Sequence, residues 1–244
     1  MNPESFQGEK INNPDTGVDH KEGESFDSEI LPKEVVSKIE SFKKRESVTP
    51  MPDILGEKVE ILLVRSGVKP SGEIAVYGDF EEEGVKKFND KSAELLQEEV
   101  GKIERFLKDI GLRYKIGKPE IHEMRGEKVG NIRQEFLFIN IARNQDSLDA
   151  LYSAKGDEEA GLAYGYPTTA IESFLSKKAM SRSELPEEVK EKEFYPFIFF
   201  KLSKDNWQKE IKVAEQWANA VKKNSPRLFK EFMEDVRKHE LNNK

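Results

Sequence analysis

The chain contains no cysteine among its 244 residues. This absence excludes disulfide bonds, thiolate metal ligands and cysteine nucleophiles. Histidine is almost as scarce, and His20, His122 and His239 stand far apart in the sequence, so a site built from several histidines is not expected. The composition therefore predicts neither a bound metal nor a cofactor.

Several longer signatures are missing as well. The chain has no Walker A string, no G-x-G-x-x-G and no G-x-S-x-G, which disfavours P-loop NTPases, Rossmann-type dinucleotide enzymes and α/β-hydrolases. There is no apolar run of about 18 residues, so no membrane-spanning helix is expected. The polar, acidic N-terminus lacks the basic and apolar regions of a secretion signal. Cytoplasmic localisation is the resulting expectation.

Charge, in contrast, is abundant. Charged residues make up 36% of the chain and hydrophobic residues another 36%. The net charge of −7 is spread unevenly: residues 1–30 hold eight acidic residues and two lysines, whereas residues 201–244 hold 11 basic and seven acidic residues. Residues 1–30 also have few large apolar side chains, so they are expected to form a disordered acidic tail.

The domain layout follows from composition and apolar spacing. A helix is predicted over 31–44, and the prolines of 47–56 indicate a linker, so residues 31–56 are interpreted as a helical arm and linker. Residues 57–244 are expected to form a single α+β globular domain.

Within that domain, alternating or β-branched apolar runs predict strands and longer periodic runs predict helices. The predicted strands are Val59–Arg65, 73–78, 112–117, 120–124, 135–142 and 194–202, with the first two paired as a hairpin. The predicted helices are a long one after Asp79, then 145–154, 157–164, 168–179, 186–192 and two that close the chain, the first of them capped by Asp205. The fold class is thus α+β, with a mixed or antiparallel sheet of about five strands, helices packed on it and a helical C-terminal part.

The most specific local pattern is a helical corner at 157–176. Gly165 suits the left-handed position that ends a helix, and Pro167 can begin the next one. Thr169 and Glu172 have capping-box spacing. The corner has two interpretations: it packs into the core, or Tyr164, Gly165, Tyr166 and Pro167 form a binding site that presents aromatic faces and hydroxyls to a partner.

The catalytic candidates are carboxylates and one histidine. Asp79 is interpreted as a helix N-cap at a strand-to-helix junction, where catalytic acids also occur. Glu120, His122 and Glu123 lie on a predicted edge strand, where they either bind a divalent cation or keep the edge charged and solvated. No pair among these residues has diagnostic spacing.

The last two predicted helices carry lysines and arginines, with Trp217 and Phe229 nearby, which is compatible with weak nucleic-acid binding or with an ordinary mixed surface. Because no catalytic cluster is evident, the favoured hypothesis is an interaction or regulatory module with a protein partner. The alternatives are a metal-dependent hydrolase or nuclease that uses Asp79 with 120–123, and a weak nucleic-acid binder.

Overall fold

A computed structural model of the chain describes residues 28–44, 54–82, 92–126 and 130–242. Most of the expected acidic tail and most of the expected linker lie outside these residues. The described part is α+β: an antiparallel four-stranded sheet, a small two-stranded sheet, and helices that make up most of the C-terminal part. The predicted fold class is confirmed.

Helices and strands are mixed in the first half of the chain, and helices predominate later. The helices are α1 (Lys33–Glu40), α2 (Ile54–Arg65), α3 (Ser92–Asp109), α4 (Gln145–Ser153), α5 (Asp157–Ala163), α6 (Thr168–Leu175), α7 (Glu187–Lys190), α8 (Trp207–Asn224) and α9 (Pro226–Asn242). The strands are β1 (Ser71–Glu82), β2 (Arg113–Ile116), β3 (Glu120–Gly126), β4 (Gly130–Ala142), β5 (Ala179–Met180) and β6 (Leu202–Ser203). Short 3-10 turns occupy Arg182–Glu184 and Tyr195–Phe197.

Strand β4 is the centre of the main sheet. It pairs with β1 on one side, from Ser71 opposite Ala142 to Glu82 opposite Ile132. On its other side it pairs with β2 and then with β3, which follow each other along the same edge. Leu137, Ile139 and Ile141, at alternate positions of β4, are buried in the core, as expected of a strand with one face packed against it. The predicted central strand over 135–142 is confirmed.

The first predicted strand, Val59–Arg65, is wrong, because this run lies in helix α2. Its apolar residues are fully buried and belong to the main hydrophobic core. Helices α1, α8 and α9 and strands β1 and β4 all contact α2, so it is surrounded on most sides. A helix buried on most sides needs apolar residues without an amphipathic period, and such a run resembles a buried strand. Because this run is a helix, it cannot pair with β1 in the predicted hairpin. Strand β1 pairs with β4 instead.

The predicted strand over 194–202 is also wrong. Only Leu202 and Ser203 pair, with β5, and the preceding residues form a 3-10 turn around Pro196. The aromatic side chains of this segment point in several directions and pack against α8 and α9, as in the stacked pairs Phe197–Phe229 and Phe199–Trp217. A strand would place them on only two opposite faces.

The outer edge of β1 is covered by a buried ion pair. Glu57 Oε1 accepts from the backbone N–H of Ala75 at 3.1 Å, and Lys44 Nζ donates to Glu57 Oε1 at 2.7 Å and to the Ala75 carbonyl. Burial raises the pKa of Glu57, although the Lys44 charge opposes that rise. These contacts satisfy the backbone N–H and carbonyl of Ala75, which would otherwise be open to another strand at this edge.

Two predicted helix caps are wrong. The N-cap residue of α8 is Asn206 rather than Asp205, and its side chain makes no capping bond. Helix α6 begins at Thr168, and the Thr169 hydroxyl donates to Glu210 Oε1 of α8 at 2.6 Å instead of capping its own helix. Tertiary contacts have replaced the local caps that the spacing indicated.

Candidate functional site

The corner between α5 and α6 has the predicted backbone geometry. Gly165 has φ +77°, in the left-handed region. Its N–H donates to the Leu162 carbonyl at 2.9 Å, and the N–H of Tyr166 reaches back to the Gly161 carbonyl at 3.0 Å. These bonds satisfy carbonyls that α5 leaves open at its end, as in a glycine-terminated helix.

The start of β1 packs directly against this corner. A Cβ on Gly165 would lie 2.7 Å from Cδ of Pro70, so the two backbones approach more closely than a side chain would allow. The Ser71 hydroxyl donates to the Ala163 carbonyl at 2.6 Å. The corner is therefore fixed to the sheet as well as to the two helices that form it.

Beneath the corner lies a lysine enclosed by aromatic rings. Lys69 is only 2% exposed, and its Nζ lies 5.1 Å from the ring centre of Tyr164, 5.7 Å from that of Tyr166 and 5.6 Å from that of Trp217. The ammonium also forms an ion pair with Glu60 of α2. Each distance is within the range in which a cation is attracted to a ring face.

The tyrosine hydroxyls belong to the same buried network. Tyr164 is hydrogen-bonded to Glu73, which also accepts from Asn140 Nδ2 at 3.2 Å. Burial raises the pKa of Tyr164 and of Tyr166, and the nearby carboxylates of Glu60 and Glu73 raise both further. Both hydroxyls therefore remain protonated at neutral pH, and that of Tyr164 donates to Glu73.

The aromatic faces at the corner are thus engaged mainly by neighbours in the same chain. Tyr164 and Tyr166 stack on each other at 5.4 Å, and Tyr166 also contacts Phe200. Pro167 and Gly165 are half-buried. Among the four predicted binding residues, none presents a fully exposed ring or backbone.

Exposed apolar side chains flank the corner instead. Leu162 of α5 is 41% exposed, and Phe174 and Leu175 of α6 are 46% and 45% exposed. The sequence places Phe174 and Leu175 on the same helical face as Ala170 and Ile171, which are buried. The width of this apolar face in the sequence could have indicated the exposure of Phe174 and Leu175, because a helix of eight residues cannot bury all of such a face against one neighbour. We call Leu162, Phe174 and Leu175 the corner surface.

The carboxylate candidates are distributed over different strands. Asp79 is not a helix N-cap, since it lies within β1, is 2% exposed and occupies the irregular register between Tyr77 and Phe80. It interacts electrostatically with Glu135 of β4: burial raises the pKa of Glu135, and the charge of Asp79 raises it further. Helix α3 is described from Ser92 onward.

The remaining candidates lie on β3, beyond β4 from Asp79. Glu120 is exposed, and Glu123 forms an ion pair with Arg133 Nε at 3.3 Å on the solvent-exposed part of the sheet. The backbone of His122 pairs with Gln134, while its side chain lies outside what the structure describes. The structure thus brings Asp79 near Glu135, not near Glu120 or Glu123. In the described ranges, no group of three or more acidic or histidine side chains is arranged to hold a metal ion.

Several basic residues of the C-terminal helices are paired with acidic neighbours. Lys222 pairs with Glu193 at 2.6 Å, and Arg227 pairs with Glu231 at 2.8 Å. Trp217 and Phe229, the aromatic candidates for base stacking, are buried in the core. Across residues 28–44, 54–82, 92–126 and 130–242, no helix has both the length and the apolar character needed to cross a membrane.

Neither protein-family models, nor curated proteins, nor solved structures gave a match to the chain.

Proposed function

We propose that the chain is a protein-interaction module that binds a partner protein through the corner surface. The observation that carries this proposal is the exposure of Leu162, Phe174 and Leu175 at a corner whose other apolar side chains are packed. Exposed apolar patches on a protein surface are typical of docking sites, and these three side chains are proposed to form one.

The rigidity of the corner supports the proposal. The corner is held by Pro70, by the hydroxyl of Ser71 and by the aromatic rings around Lys69. A surface that is already ordered loses little conformational entropy on binding, so a few apolar anchors can give useful affinity.

The charges around the corner surface suggest the chemistry of its partner. The first turn of α5 is acidic at 157–159, whereas Lys177 and Lys178 follow the end of α6. A protein surface with apolar side chains at its centre and charges of both signs at its rim would complement this arrangement.

Photo-crosslinking in the cells that normally make the protein tests the proposal. A photoreactive phenylalanine derivative is placed at position 174 and, as the matched control, at position 138, because Phe138 is similarly exposed at 41% but lies on the sheet. We expect a discrete protein adduct from position 174 that is absent from position 138. Leu162→Asp should weaken the adduct without lowering the melting temperature.

Two outcomes would refute the corner surface as a docking site. One is the same adduct pattern from positions 174 and 138, which would indicate nonspecific contact. The other is an adduct from position 174 that Leu162→Asp and Leu175→Ser both leave unchanged, because an apolar interface loses affinity when its anchors become polar.

The hydrolase alternative has one supporting observation, the proximity of buried Asp79 to Glu135 with its raised pKa. Perturbed carboxyl groups are common in active sites but also occur in structural clusters. If Asp79 bound a catalytic cation, Mn²⁺ or Mg²⁺ would raise the melting temperature and Asp79→Asn would abolish the rise. We expect no metal-dependent shift; a clear shift that requires Asp79 would favour the enzyme over the interaction module.

A further inference from the structure

The side chain of Lys69, beneath the corner, is enclosed much as a protein encloses a bound cationic ligand. Lys69 belongs to the turn that connects α2 to β1, and its side chain is almost completely buried although it carries a charge. A buried ammonium is strongly unfavourable unless its lost hydration is replaced. Here the replacement comes from one carboxylate, Glu60, and from three ring faces.

The backbone and the aromatic rings around Lys69 are arranged so that the Glu60 carboxylate and the ring faces can reach its ammonium. A Cβ on Gly72 would lie 2.8 Å from Cγ of Glu60, so a glycine is needed for this carboxylate to reach the ammonium. Tyr164 and Tyr166 stack with their planes 30° apart, and the Trp217 ring lies 6.3 Å from Tyr166 at an interplanar angle of 52°. The rings therefore form adjacent walls around one position rather than a single stack.

Comparison with another lysine in the chain shows that this arrangement is more than incidental stacking. Lys115 lies over one ring, Tyr152, at 4.5 Å, but it is 37% exposed and pairs with Asp149 at the surface. Lys69 contacts three rings and is shielded from water. A cation–π contact is stronger when the cation is desolvated. The site of Lys69 should therefore select a cation over a neutral group more strongly than the site of Lys115.

We propose that Tyr164, Tyr166, Trp217 and Glu60 form a cation-selective aromatic cage that takes primary alkylammonium ions, with Lys69 as its internal ligand. The occupied cage locks the turn between α2 and β1 onto the α5–α6 corner. When the lysine side chain is removed, the vacated cage accepts a free alkylammonium ion of matching length.

Chemical rescue tests the cage directly. Lys69→Ala removes three methylene groups and the ammonium, which n-propylammonium supplies. The experiment uses a Trp207→Phe background, in which Trp217 is the remaining tryptophan and its fluorescence reports on the cage. We expect n-propylammonium to shift this fluorescence saturably and to raise the melting temperature by about 4 °C at ten times its Kd.

The controls distinguish an effect of charge from an effect of size, and binding in the cage from binding elsewhere on the surface. The neutral analogue 1-propanol should have little effect at the same concentration, and sodium chloride corrects for ionic strength. Lys115→Ala, at the exposed single-ring contact, should show no saturable response to n-propylammonium. Equal stabilisation of Lys69→Ala by 1-propanol, or no response to either compound, would overturn the proposal.

A second variant applies if Lys69→Ala does not fold. Glu60→Gln combined with Lys69→Met removes both charges while keeping the side-chain length. Replacing a buried ion pair with apolar groups is often neutral or stabilising, so an apolar pocket would tolerate this change. A cation-selective cage predicts a lower melting temperature for the double variant; a melting temperature equal to or above that of the original chain would overturn the proposal.

Discussion

At the residue scale, two glycines with similar positive φ angles distinguish the cost of backbone strain from the cost of steric crowding. Gly165 and Gly111 have φ +77° and +72°, but a Cβ on Gly165 would meet Pro70 at 2.7 Å, whereas a Cβ on Gly111 would meet nothing within 4 Å. Gly111→Ala should cost roughly 1–2 kcal/mol through strain at positive φ. Gly165→Ala should cost clearly more, and Gly165→Val more again.

Urea denaturation of the three variants measures these costs as shifts in midpoint at constant slope. If Gly165→Ala were no more destabilising than Gly111→Ala, the close packing of the corner on the start of β1 would be wrong. An unchanged midpoint for Gly165→Val would reject the left-handed assignment itself.

The raised pKa of Glu135 predicts that replacing this residue with glutamine stabilises the protein in a pH-dependent way. Burial and the charge of Asp79 raise its pKa in the folded protein above the ordinary value of 4.5. Its ionised form is therefore less favourable in the folded than in the unfolded state, so wild-type stability falls as pH rises from 4.5 through the raised folded pKa. Glu135→Gln removes this cost and should stabilise the protein at neutral pH.

Chemical denaturation of Glu135→Gln between pH 4 and pH 8 checks this sign. The stabilisation should be largest at the upper end and should fade as the wild-type carboxyl becomes protonated at the lower end. Glu120→Gln on the exposed strand β3 is the control and should show no such trend. A gain that grows toward low pH would contradict the environment assigned to Glu135.

At the element scale, two helical glycines predict opposite effects of the same substitution. Gly101 lies inside α3, where a Cβ would meet nothing within 4 Å. Gly161 lies inside α5, where a Cβ would approach Cγ1 of Ile171 to 2.9 Å. Because alanine favours a helix over glycine by about 1 kcal/mol, Gly101→Ala should stabilise the protein, whereas Gly161→Ala should destabilise it by forcing α5 and α6 apart.

Thermal unfolding of both variants provides the measurement. A loss of stability in Gly101→Ala would mean that α3 needs a close backbone contact at this point. A gain in Gly161→Ala would mean that the α5–α6 pair is less tightly packed than its geometry indicates.

The elements that were predicted correctly are those with strong local signals. The segments predicted as strands over 112–117, 120–124 and 135–142 alternate or are strongly apolar, and strands β2, β3 and β4 lie there. Val59–Arg65 and 194–202 were mistaken for strands because their apolar residues reflect burial on several sides, which depends on distant elements. Local periodicity does not report how many neighbours a segment has.

The same distinction applies to the site. Gly165 was predicted from its own neighbours, because a helix end is a local feature. Lys69 and Trp217 were not connected to the corner, since they come from elements far from it in sequence and only the tertiary fold brings them together. The exposure of Phe174 was also missed, as it depends on which faces of α6 the other helices leave uncovered.

At the scale of the whole molecule, the uneven charge predicts competition between the acidic N-terminal segment and anionic partners. Residues 1–27, which contain seven acidic residues and two lysines, lie outside the described structure. The structure shows where this segment joins the body: the backbone N–H of Glu29 donates to the Ser66 carbonyl at 3.2 Å, and the Glu29 carboxylate pairs with Arg143. Two residues later the chain reaches the end of helix α8. The backbone N–H of Leu31 donates to Asn224 Oδ1 at 2.7 Å, at the end of α8, beside Lys222 and Lys223.

Because residues 1–27 are covalently joined to the chain close to this point, we expect them to raise the local concentration of negative charge near the basic C-terminal helices. Exposed charge contacts of this kind are individually weak and are screened by salt. Deleting residues 1–27 should therefore tighten binding of a labelled heparin fragment at low salt and change it little at high salt, as measured by fluorescence anisotropy. Full-length protein with the seven acidic residues replaced by asparagine or glutamine should show the same gain, since charge rather than length is the cause. Equal affinity of the full-length and shortened proteins at low salt would mean that the acidic segment does not compete at this surface.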